Sequence, residues 1–196
     1  MRETPIISYL HQVPYFKQTD SRTWQHDRMC QSSAIAMVLN YMYAGTDDDP
    51  TFKGKDKWDD DDYLEYMNKF GDTVMADSHK RALVSLDVDA EFKTNGRVED
   101  ITDLLSQGIP VPIGILHYGK LEDPSGYGHW VVVIGHTKHY YIVHDPWGEL
   151  NLNEGGFYQK YSGECILYRK EKLEKRWLID REDDGWYWDF SRTYNK

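Results

Sequence analysis

"YGHWVVVIGHTKHYYIVHDPWG", residues 127–148, holds two short runs rich in β-branched and aromatic residues, Trp130 to Ile134 and Tyr140 to Val143, either side of a polar connector. That pattern predicts a β-hairpin. A three-residue loop turning about Thr137 places His129 directly opposite Asp145, and such cross-strand neighbours share a face with Cβ atoms about 4.5–5.5 Å apart. An imidazole and a carboxylate then meet. A one-residue slip would send one of them to the other side of the sheet, so the register carries the reading.

Further runs of the same kind, "PVPIGIL" (110–116) and "GECILYR" (163–169), extend the hairpin into an antiparallel sheet. The first half of the chain has a helical period instead. In "DRMCQSSAIAMVLNYM" (27–42), Ala34, Met37, Val38, Tyr41 and Met42 form one apolar stripe, with Asp27 as the expected N-cap and Gly45 as the stop. Asp59 to Asp62 favour the positive end of a second helix dipole, and "DSHKRALVSL" (77–86) and "RVEDITDLLSQG" (97–108) read as two more helices. Helices followed by antiparallel strands give an α+β domain with its leading helix packed on the sheet.

The chain has 196 residues, enough for one well-buried core, and reads as a single domain over 1–196 with 170–196 as a C-terminal extension. Its net charge of -10 opposes binding to a phosphate backbone, so nucleic acid is excluded as a partner. The 7 Trp and 15 Tyr suit a core and a lined groove. The opening "MRETPIISYLHQ" lacks the pattern of a signal peptide, and no stretch nears the roughly eighteen apolar residues of a membrane span. The expectation is a soluble protein, cytoplasmic or, for a phage-encoded chain, released or virion-associated.

Two cysteines without a CxxC grouping, Cys30 and Cys165, argue against a disulfide framework and a zinc ribbon. Cys30 falls in the first turn of the leading helix, where unpaired N–H groups and partial positive charge favour thiolate over thiol. With His129 to take the proton and Asp145 to orient the ring, it completes a constellation for nucleophilic catalysis. Cys165, in a strand-like context, is expected to be buried and inert.

"VPYFKQTD", "MCQSSAIAMVLNYM", "GHWVVVIGH" and "VHDPWG" follow one another in the order found in papain-like cysteine peptidases. Across residues 12–168 the chain resembles the type that processes double-glycine leaders of bacteriocins, and more closely its stand-alone relatives. The resemblance implies a papain-like fold, with Cys30 as nucleophile, His129 as base and Asp145 as orienting acid. It also implies an oxyanion-hole glutamine, for which Gln18 is the better motif match and Gln25 the alternative. Gln31 stands where many relatives carry Gly. No cofactor is called for. The implied substrate is a peptide, a protein or a peptidoglycan cross-link peptide, cut through an acyl-enzyme; transfer of the acyl group to an amine, and a peptide-binding module without turnover, are the alternatives.

Other signals point to simpler roles. His26 lies four residues before Cys30, and His136, His139 and His144 are nearby in sequence, but no HExxH or paired CxxC supports a zinc site. Asp47 to Asp49 and Asp59 to Asp62 lack the alternating ligands of a calcium loop.

Overall fold

The computed structural model describes residues 6–10, 12–43, 58–158 and 162–194. The expected stop at Gly45 and the Asp47–Asp49 run lie outside the described residues. Strand β1 (Ile6–Tyr9) and a 3-10 turn (Gln18–Asp20) precede α1 (Cys30–Tyr43), α2 (Asp60–Met67) and α3 (Ala76–Ser85). Then come β2 (Glu91–Gly96), α4 (Val98–Ser106), β3 (Val111–Ile115), β4 (His129–Thr137) and β5 (Tyr140–His144). Strand β6 (Ile166–Arg169), α5 (Lys170–Trp177), β7 (Gly185–Asp189) and α6 (Ser191–Tyr194) complete the order. The result is the α+β, papain-like arrangement expected from the sequence, with helices packed on an antiparallel sheet.

Local chemistry accounts for the helix ends. Asp59 accepts the Asp62 N–H at 2.9 Å while the Asp62 carboxylate accepts the Asp59 N–H, closing a reciprocal cap on α2. Helix α4 buries Ile101, Leu104 and Leu105, and Gly108 follows it with φ 81°, a conformation that favours glycine at a helix exit. At α1 the expectation needs correcting. The helix begins at Cys30, with the Met29 carbonyl accepting its first bond from Ser33 N–H at 2.9 Å, and Asp27 contacts His26 at 2.9 Å instead of capping. Nor does α1 bury a single stripe. Every residue from Gln31 to Asn40 is buried, because the helix is enclosed by β3 and β4 on one side and α2 on the other.

The sheet runs β2-β7-β3-β4-β5-β6, with β1 added alongside β4. Strand β7, from the charged and Trp-rich end of the chain, occupies an interior place between β2 and β3. There Trp188 and Phe190 are fully buried, and Trp177 Nε1–H donates to the Trp186 carbonyl at 2.9 Å. Arg176, on α5, is also fully buried and donates to the carbonyls of Leu116, Tyr118, Gly119 and Leu152 at 2.8–3.0 Å. Three of these acceptors fix the segment after β3 to α5, and the fourth, Leu152, ties in the segment after β5. No described helix is long and apolar enough to cross a membrane.

The β4–β5 hairpin differs from its expected register. Its last pair is His136 with Tyr141, and the Thr137 hydroxyl accepts from His139 and Tyr140 N–H at 3.2 and 2.9 Å, so the connection is longer than three residues. That change alone would invert the faces. A bulge restores them: Val133 pairs with Val143 but Gly135 with Ile142, leaving Ile134 as the extra residue. Val132 then pairs with His144, and continuing the register puts His129 across from residue 147 and diagonal to Asp145. An even displacement keeps both on one face.

Trp188 lies at 0% exposure, with its ring 5.6 Å from Phe92 and 6.4 Å from His79, so Trp188→Ala opens a large cavity in the buried core. A loss of about 3–5 kcal/mol is expected on chemical denaturation. An unchanged midpoint would contradict the interior placement of β7.

Candidate functional site

The head of α1, the mouth of β4 and the turn after β5 meet at one place. Cys30, half-buried, is the first residue of α1, and His129 is the first residue of β4. His129 Nε2–H donates to Asp145 Oδ1 at 2.6 Å, and both side chains are almost wholly removed from water. Cys30 is near enough to the ring to be among the groups that raise its pKa. With Nε2 committed to Asp145, Nδ1 is the nitrogen left for the sulfur.

A carboxylate at 0% exposure requires several donors to be tolerated. Asp145 has them. Besides His129, its Oδ1 accepts the Trp147 N–H at 3.1 Å and its Oδ2 accepts the Tyr168 hydroxyl at 3.0 Å. Tyr168 is held in turn by the Leu150 N–H at 2.6 Å. The Asp145 backbone donates to the Gly163 carbonyl at 2.8 Å and accepts from Tyr15 at 3.0 Å. Gly163 packs so closely that a Cβ there would overlap the Asp145 carbonyl. A side chain at 163 would displace the carboxylate.

The electrostatics follow from this enclosure. Burial by itself pushes the His129 imidazole down, but the charge and hydrogen bond of Asp145 together with Cys30 outweigh it and raise the ring to about 10. Phe157 stands edge-on to His129 with ring centres 5.0 Å apart, and Trp147 packs on Phe157 at 5.5 Å. On another side lies His117, 5.8 Å from His129 between ring centres. Burial, and then the nearby His129, lower His117 to about 4, so it is neutral at pH 7.

Gln18 is buried between two of these segments. Its backbone N–H donates to the Pro146 carbonyl at 2.9 Å and its Nε2 to the His26 carbonyl at 2.6 Å, in the turn that leads into Cys30. Nε2 carries a second hydrogen beyond that one. Gln25 is half-buried, and its backbone N–H donates to the Thr23 hydroxyl at 3.2 Å. Gln31 is buried and lines a cavity of 260 Å³ beside Cys30, so the residue that departs from the glycine of many relatives does border the thiol.

Cys165 is exposed, contrary to expectation. It precedes β6 at φ 53°, outside the strand, with its sulfur 3.3 Å from the Tyr9 hydroxyl. Two of the other histidines have separate engagements: His144 with the Val13 carbonyl and Cys165 N–H, His136 with Lys170. Among the described residues no group of three or more His, Cys, Asp or Glu is placed to hold a metal.

Tyr15, Tyr168, His117 and Phe157 were not singled out by sequence reasoning. Each reaches the site from a distant segment, and an isolated aromatic residue carries no local sign of such a contact. The abundance of tyrosine was a signal only for Tyr15 and Tyr168.

This architecture has relatives. The chain is 17% identical to a candidate C39-like peptidase from Bacillus anthracis whose crystal structure is known, with a TM-score of 0.59, covering 92% of this chain and 96% of that one. At that identity the likeness is one of fold. No curated protein matches the chain. The model of the Peptidase_C39 like family matches residues 10–183, which include Cys30, His129 and Asp145 as well as β4, which begins at His129, and β5, which ends just before Asp145, and the chain therefore belongs to the Peptidase_C39 like family.

Proposed function

We propose that the chain is a cysteine peptidase that hydrolyses amide bonds through Cys30, His129 and Asp145. The observation that carries this reading is the buried 2.6 Å bond between His129 and Asp145, with Cys30, the first residue of α1, near enough to the ring to help raise its pKa. A carboxylate bound at Nε2 fixes the tautomer and holds the ring still, so that Nδ1 can exchange a proton with the sulfur.

In the first half-reaction the Cys30 thiolate attacks the substrate carbonyl, forming a C–S bond and moving the carbonyl electron pair onto oxygen. The backbone N–H of Cys30 and the second Nε2 hydrogen of Gln18 serve as donors to that oxygen. Collapse breaks the C–N bond, and His129 gives its proton to the departing amine. Water then loses a proton to His129 as it attacks the thioester, and the acid leaves with the thiolate restored. A peptide, a protein or a cell-wall cross-link peptide offers the required amide.

Alkylation with iodoacetamide at pH 7, followed by peptide mapping, tests the nucleophile. Cys30 is expected to label faster than Cys165 although Cys165 is the more exposed, so the preference would reflect reactivity rather than access. Equal slow labelling of both would count against the reading. Cys30→Ala is expected to lower peptide hydrolysis by about a thousandfold or more.

The raised imidazole gives a pH signature. A histidine raised above its unfolded value of 6.5 contributes stability that is fully present below 6.5 and lost as pH rises through about 10. The same group sets the alkaline limb of activity, because its proton is needed by the leaving amine. In Asp145→Asn burial acts without the carboxylate, and the His129 titration followed by NMR should fall well below that of the unaltered protein. A His129 that titrates at its ordinary value in the unaltered protein would contradict the ion pair.

A further inference from the structure

Beside Cys30 the cavity of 260 Å³ is lined by Phe92, Trp130, Trp186, Val74, Met75 and Gly114. Its volume falls just below the roughly 300–1,000 Å³ of sites that enclose a whole small molecule, a size suited to one large side chain. The walls are already organised. Phe92 packs at 6.0 Å from both Trp130 and Trp186, edge-on to the latter, and Trp130 closes over Gly114, where a Cβ would come within 3.3 Å of its ring. Arg28, the charged residue that borders the cavity, is bound to both carboxylate oxygens of Asp72 at 2.9 Å. Its charge is already matched.

Three wall residues are nonetheless half-exposed: Val74 at 50%, Met75 at 55% and Trp186 at 51%. Tyr127, fully exposed between Gly126 and Gly128 with φ 114° and 90°, borders this cavity and an adjoining one of 370 Å³. Large apolar side chains left open around a concavity next to a reactive thiol mark a place for an apolar ligand group. Trp186 comes from β7 and lies beyond residue 183, where the family match ends. This wall belongs to the chain's own C-terminal strand.

We infer that this cavity receives a bulky apolar side chain, aromatic by preference, close to the scissile bond, which makes the substrate a peptide or protein segment rather than a cell-wall stem peptide. The inference rests on the peptidase reading. Stem peptides offer mainly small or charged side chains, which would leave the aromatic walls wet or place a charge against them unpaired. A phenyl or large aliphatic group removes apolar surface from water on both partners.

Chloromethyl ketones of acetylated Xaa-Gly and Gly-Xaa dipeptides, with Xaa as Phe, Leu, Ala, Glu or Gly, provide the test on the full chain. The thiolate displaces chloride, forming a C–S bond as the C–Cl bond breaks, and the rate of Cys30 modification is read by mass spectrometry. In at least one of the two placements Phe is expected to exceed Gly by about tenfold or more. Trp186→Ala should shrink that Phe-to-Gly ratio by about tenfold, and the unaltered protein's ratio stands as a test even where this variant folds poorly. Rapid labelling of Cys30 by iodoacetamide with equal Phe and Gly rates, or with Ala or Glu fastest, would overturn the pocket assignment and leave the peptidase reading standing. A Cys30 inert to iodoacetamide would overturn the reading on which the assignment rests.

Discussion

A carboxylate with no access to water sits at the centre of this structure, and much of the surrounding fold is arranged to satisfy it. Asp145 is held by an imidazole, a backbone N–H and a tyrosine hydroxyl, while its own backbone is fixed by Tyr15 and Gly163. A buried ion lacking one of these partners would be costly, of order several kcal/mol. The same arrangement that makes the charge tolerable also fixes the His129 ring beside Cys30. Stability of the fold and order in the candidate site thus share one set of contacts.

The scaffold contributes in two ways. Helix α1 is enclosed on all sides along Gln31–Asn40, so Cys30 at its head is borne on a rigid element. The bulge at Ile134 turns the strand by one residue and brings His129 to the face where Asp145 lies. Strand β7 adds a third element, since its place between β2 and β3 brings Trp186 beside the thiol. The chain end is consequently part of both the sheet and the cleft.

What could be read from the sequence was local. The leading helix with Cys30 at its start, the hairpin strands, and the helices-then-strands order all left periodic or compositional marks. The register did not. A longer turn and a bulge displaced the pairing in ways that preserved the shared face, so the expected neighbours met through different geometry. Asp27 is a good cap by type, yet the chain makes another turn before α1 begins, and a preference of about 1 kcal/mol does not decide such a boundary. Strand β7 lacked a legible alternation because Trp186 faces the cleft while Tyr187 and Trp188 are both buried. Tyr168 and Tyr15 act on Asp145 from 23 and 130 residues away, a relation no local pattern encodes.

The central claim is that the Cys30 sulfur carries the acyl group of a cleaved amide. Acid quenching during turnover of an aromatic-containing peptide, followed by mass spectrometry of the digested protein, examines that step directly. The account predicts a thioester on the peptide containing Cys30, with the mass of the substrate's acyl portion, that decays as the free acid appears. Peptide cleavage that proceeds with no such adduct, and at an undiminished rate in a protein lacking the Cys30 sulfur, would contradict it.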